Sequence, residues 1–170
     1  IILMGYYQMI FNYGEKKFIQ KCKASGVDGL IVVDLSFPDN KNFAKLCKKN
    51  SICFVQLIAP TTTVKRMKEI IRNSHEMVYM ISTISTTGSA LKYSIKRIIK
   101  NYNVIKKIKP SKNVVIGFGI TEKTISNLRS ADGLVVGSAI CREITRSLKD
   151  RQNPVTNVSK LVRKLKNKII

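Results

Sequence analysis

Six short apolar runs rich in β-branched residues recur along the chain, at residues 1–4, 30–35, 52–58, 77–82, 113–118 and 134–136. They are continuous rather than alternating. A strand with one face in water alternates apolar and polar residues, so continuous runs point to strands covered on both faces, as in a parallel sheet wrapped by helices. Successive runs begin about 20 to 36 residues apart, room for one strand, one helix and two connections.

The intervening stretches carry helical periodicity. Phe18, Ile19 and Cys22 form an apolar stripe ending at Gly26, and Phe43, Leu46 and Cys47 form another before Asn50. Thr63 is placed to cap a helix bearing Val64, Met67, Ile70 and Ile71; Ile95, Ile98, Ile99 and Tyr102 mark the longest helix. Thr121 opens a short helix through Ile125 and Leu128, and Val158, Leu161, Val162 and Leu165 mark a C-terminal one. Strict alternation of strands and helices makes this an α/β chain, read as one domain over residues 1–170.

Two α/β architectures compete at a length of 170 residues. A doubly wound sheet closes with five or six strands, whereas an eight-stranded barrel typically takes about 250 residues. Glycine placement separates them. Gly117-Phe118-Gly119 and Gly137-Ser138-Ala139 end the last two runs, and phosphate-using barrels hold their phosphate on the loops after strands seven and eight and on the start of a short helix. Numbered that way, the first run is strand three. The fold expected is a (β/α)8 TIM barrel lacking roughly its first two strand–helix units. The opening Ile-Ile-Leu-Met, with no initiator Met and no basic segment before an apolar one, reads as the interior of a longer chain rather than a start or a signal peptide.

Composition narrows the function. No apolar run approaches the roughly 20 residues of a membrane span. Cys22, Cys47, Cys53 and Cys141 are scattered without a C-x-x-C pair and read as buried free thiols in a reducing cytoplasm. The net charge of +21, from 31 basic and 10 acidic residues, raises nucleic-acid binding, because phosphate neutralisation dominates affinity there. The basic residues, however, decorate every helix, with no interleaved aromatics and no binding motif. No nucleic-acid partner is expected.

A phosphate monoester is well held by backbone N–H groups, which favours residues without a Cβ at the contacts. Gly119 and Gly137 meet that need; Ser138 adds a hydroxyl, and the segment after it can begin a helix whose dipole points at the anion. The plainer reading is that these glycines end strands or allow close packing. A hydroxyl-rich stretch, 82–87, leads to Gly88 and suits a loop folding over substrate. General acid–base groups are scarce. His75 precedes a strand, on the stability face, and reads as structural. Asp34 ends a strand, where a hydrogen-bonding role competes with a catalytic one. No metal-ligand cluster or nucleophilic triad is visible in the sequence.

Six segments follow one another in the order and spacing of the tryptophan synthase α subunit, which this sequence resembles over nearly its whole length: Leu3-Met4-Gly5-Tyr6-Tyr7, residues 26–35, Ala59-Pro60-Thr61-Thr62-Thr63, Thr87-Gly88, Gly117-Phe118-Gly119-Ile120 and residues 132–139. The resemblance implies a lyase of L-tryptophan biosynthesis that cleaves indole-3-glycerol phosphate by a retro-aldol reaction to indole and glyceraldehyde 3-phosphate. Indole then passes to a pyridoxal-phosphate-dependent β subunit in a tetramer of two α and two β subunits. No cofactor is implied for this chain. Gly88, Gly119, Gly137 and Ser138 match the family's phosphate-binding positions. Tyr6, Tyr79 and Phe118 match residues lining the indole pocket, Thr87 matches the threonine of the mobile loop, and segment 7–13 matches part of the face that meets the β subunit.

The family's catalytic glutamate and aspartate would lie upstream of Ile1, so no catalytic residue is assigned here and the chain is expected to be inactive alone. Ser85 replaces a glycine usual in the mobile loop, and Gln8 an asparagine usual beside the subunit contact. The alternatives are another phosphate-binding barrel enzyme, or a degenerate α chain that only docks on its β partner.

Overall fold

The computed structural model describes residues 1–82, 94–117, 119–122 and 124–169. Among the described residues there are seven strands: β1 (Ile2–Gly5), β2 (Gly29–Val32), β3 (Cys53–Phe54), β4 (Gln56–Ile58), β5 (Met77–Ile81), β6 (Asn113–Gly117) and β7 (Gly133–Val135). Between and after them run helices α1 (Tyr7–Tyr13), α2 (Glu15–Ala24), α3 (Lys41–Lys49), α4 (Val64–Asn73), α5 (Ile95–Ile108), α6 (Ser138–Lys149) and α7 (Pro154–Lys166), with a 3₁₀ turn at Ile125–Leu128.

Every pairing is parallel and joins neighbours in sequence, in the orders β1-β2-β3 and β4-β5-β6-β7. A doubly wound sheet reverses its strand order partway, and this one does not. The order is that of a barrel wall, so the fold is α/β of TIM-barrel type.

The run 52–58 appears as two strands, β3 and β4, because its halves face different partners. Gly29 and Leu30 align with Cys53 and Phe54, Val55 N–H still donates to the Leu30 carbonyl at 2.9 Å, and Gln56–Ile58 pair with Val78–Met80. That stagger is the shear a tilted barrel wall requires.

Strand residues sort by face. Leu30, Val32 and Phe54 join Ile19, Cys22, Phe43 and Cys47 of α2 and α3, while Ile58, Val78, Met80, Val114 and Ile116 pack on α4 and α5 through Met67, Ile71, Ile98 and Ile105. The alternate residues Ile31, Val55 and Tyr79 form a separate inner cluster flanked by Leu57, Met77, Ile81 and Val115. That cluster joins the two sheets across one surface.

The helix signals fall where the periodicity puts them. Thr63 accepts from Arg66 N–H at the start of α4, α5 is the longest described helix at 14 residues, and Gly26, with φ +72°, turns the chain out of α2. Two expectations need correction. The strands are not all covered on both faces: β1 is exposed along its length and Val135 of β7 is exposed too, because neither strand has a further neighbour among the described residues. Nor are all the thiols buried: Cys22 and Cys47 are, whereas Cys53 is half-buried and Cys141 is exposed on the first turns of α6. No described helix is long and apolar enough to cross a membrane.

Candidate functional site

All strands run in parallel, so the residues that follow them gather along one edge of the sheet, the edge where barrels of this type carry function. Gly117 pairs with Val135. Two residues further on, Gly119 and Gly137 follow these adjacent strands at equal distance from the last paired residues. Gly119 holds φ +65°, a left-handed conformation natural to glycine, and its carbonyl accepts from Thr124 Oγ1 at 3.3 Å. Gly137 caps α6, Ser138 is the first residue of that helix, and the Gly137 carbonyl takes the N–H groups of Ile140 and Cys141 at 2.8 and 3.2 Å. The helix start expected after Ser138 is thus present, with its unpaired N–H groups turned toward the functional edge.

The glycines differ in their surroundings. A Cβ on Gly117 would lie 1.6 Å from the Tyr79 hydroxyl oxygen, so this glycine is kept for packing. A Cβ on Gly137 would meet nothing within 4 Å. Among the described residues packing gives no reason for a glycine there, and the open space lies at a helix N-terminus, where an anion is favoured.

Tyr79 stands on the inner face of β5, level with Leu57 and Val115, and is buried against Ile31 and Val55. Burial pushes its phenol pKa up, keeping it protonated at neutral pH. Beyond it, Ser82 is fully buried and donates both its N–H, at 3.0 Å, and its hydroxyl, at 2.8 Å, to the Gly117 carbonyl. This fixes the point where the chain leaves β5 for segment 83–93. Thr87 and Gly88 of that segment, and Phe118, lie outside the described residues.

Tyr6 follows β1 on the same edge and is 62% exposed. The Asp34 carboxylate accepts the Tyr7 N–H at 2.7 Å, capping α1 from across the β1–β2 pair. Its geometry is that of a hydrogen-bonding residue.

At the opposite edge the fold gathers side chains that the sequence does not announce as a group. The donor atoms of Cys53, His75 and Glu76 lie within 4.8 Å of one another. His75 Nδ1 accepts the Phe54 N–H at 2.9 Å, and burial, ahead of the nearby lysines Lys48 and Lys112, lowers the ring's pKa although Glu76 opposes this. Beside it Lys112, 2% exposed, donates to the carbonyls of Ser74, at 3.2 Å, and His75. With an imidazole nitrogen committed to the backbone and an ammonium in place, the cluster is a clasp between the starts of β3, β5 and β6. His75 is structural, as expected. Lys112 is one lysine among many in the sequence, and nothing local marks it as buried.

A model of the tryptophan synthase alpha chain family matches residues 1–170. The tryptophan synthase alpha chain of Pelagibacter ubique is 64% identical over 169 residues, which are 99% of this chain and 64% of that protein. That of Karelsulcia muelleri is 39% identical over 152 residues, 86% of this chain and 57% of the relative. The chain therefore spans less than two thirds of the length of these relatives.

Among solved structures, tryptophan synthase subunit alpha of Legionella pneumophila superposes with a TM-score of 0.82 at 26% identity, covering 99% of this chain and 62% of that one. A structure of the tryptophan synthase a2b2 complex from Pyrococcus furiosus matches with a TM-score of 0.81 at 33% identity, over 98% of this chain and 66% of that one. A sheet wound without reversal, paired glycines past its last two strands and a family match along the whole chain agree: this chain belongs to the tryptophan synthase alpha chain family.

Proposed function

We propose that this chain carries the phosphate-holding part of an indole-3-glycerol-phosphate lyase, and that the site is the edge formed by Gly119, Gly137 and Ser138. In the reaction the bond between the indole ring and the glycerol phosphate chain breaks, giving indole and glyceraldehyde 3-phosphate. The observation that carries the reading is the open position at Gly137, at the start of α6 and two residues past β7, as Gly119 is two residues past the neighbouring strand β6. Backbone N–H groups there suit a phosphate dianion. Gly88 and Thr87 complete the proposed substrate contacts from segment 83–93, with Tyr6, Tyr79 and Phe118 beside the indole.

The bare β1 edge and half-covered inner face suit a barrel wall completed by further strand–helix units that bring the catalytic glutamate and aspartate. Segment 7–13, which forms α1 with Met9 and Phe11 exposed, is the proposed contact with a tryptophan synthase β subunit. Its exposed apolar side chains support that, as does the assembly named for the Pyrococcus relative. Free thiols suit the cytoplasm as the compartment.

Two assays test this. The 170-residue chain is expected to bind glycerol 3-phosphate saturably and to release no indole from indole-3-glycerol phosphate. Turnover by this chain would refute the assignment of the catalytic pair to other segments, and absence of phosphate-ester binding would refute the site.

A further inference from the structure

Gly119, Gly137 and Ser138 offer a phosphate N–H groups and a hydroxyl but no formal positive charge. A dianion held by neutral donors alone gains from a cation within reach. Beside these residues lies a groove of about 570 Å³ formed by the loop after β6, the first turns of α6, and α7; Thr121, Ala139, Arg142, Arg146 and Lys168 line it together with Glu122 and Glu143.

Most of its charges are matched. Arg146 pairs with Glu143 at 2.8 Å, and Glu122 takes Lys164 at 2.7 Å and Lys168 at 3.7 Å. The Arg142 guanidinium makes no hydrogen bond or ion pair with any described residue. It stands four residues after Ser138 and three after Ala139, on their face of α6. Helical side chains lean toward the N-terminus and cover the preceding turn, which gives the exposed side chain at 142, in the groove with Ala139, reach over the Ser138 turn.

We propose that Arg142 is the cation of the phosphate site, meeting the anion from the groove side while the glycine backbone holds it from below. The proposal rests on the phosphate reading above and adds to it a charged contact and a preference for doubly charged head groups. A planar guanidinium with several donors suits a phosphate oxygen pair.

The test measures dissociation constants of glycerol 3-phosphate for the wild-type chain, Arg142→Gln, Arg142→Lys and Lys23→Gln at two salt concentrations. Lys23, on α2 and remote from this edge, controls for the field of a chain with net charge +21. Arg142→Gln is expected to weaken binding about three- to tenfold and flatten the salt dependence. Arg142→Lys should restore binding to within about twofold, because the charge is kept, and Lys23→Gln should leave it unchanged. Wild-type binding with an unaffected Arg142→Gln variant, or with Lys23→Gln equally weakened, overturns the role of Arg142 and leaves the phosphate reading standing. No binding by the wild-type chain overturns both.

Discussion

A methyl group at Gly117 would lie 1.6 Å from the Tyr79 hydroxyl, whereas one at Gly137 would meet nothing within 4 Å. Gly117→Ala must displace the Tyr79 ring from its place against Ile31 and Val55, and overpacking of that kind costs about 1 to 3 kcal/mol; urea unfolding is expected to show that loss. Gly137→Ala should leave the unfolding midpoint almost unchanged while impairing glycerol 3-phosphate binding, separating a packing glycine from a ligand glycine. His75, the chain's single histidine, gives a pH signature. Burial holds its folded pKa below the ordinary value of about 6.5, so on acidification the unfolded chain takes up the proton first. Stability should fall as pH drops through 6.5, and continue to fall until the folded ring is itself protonated. Urea midpoints between pH 7.5 and 5.5 are expected to decrease, and the decrease should shrink in His75→Asn, since no other side chain has its ordinary titration in that window.

At the scale of elements, periodicity and capping chemistry made most of the fold legible. The stripe Val64, Met67, Ile70, Ile71 and the Thr63 cap are local features, and α4 is found where they place it. Thr63→Ala should cost about 1 kcal/mol in a thermal or urea melt. Helix α1 was not legible. It has seven residues, and Tyr6 supplies no side-chain cap; its stabilising carboxylate, Asp34, comes from 27 residues away. The clasp at His75 escaped for the same reason, because its bonds join residues 21 to 38 positions apart. Gly119 and Gly137 were visible as a motif. That Gly117 serves Tyr79 while Gly137 serves open space required the pairing of β5, β6 and β7. Arg142 gave no signal at all in a chain with cations on every helix but α1.

For the whole molecule the dominant feature among the described residues is an exposed sheet edge. β1 is exposed from end to end, Leu3 lines one groove with Met9 and Tyr13, and Met4 and Phe11 are exposed as well. Unpaired edges with apolar flanks invite association. Sedimentation of the 170-residue chain should therefore show concentration-dependent self-association, reduced by Leu3→Lys. A charge of +21 should also confer weak, salt-sensitive affinity for any polyanion through the helix lysines, and the proposed phosphate site must be distinguished from this background. The most direct measurement is a backbone amide NMR titration with glycerol 3-phosphate at moderate salt. Saturable shifts at Gly119, Gly137 and Ser138, lost in Gly137→Val, are the result this account requires. Shifts spread over the lysines of α3, α4 and α5, with those three amides unmoved, would contradict it.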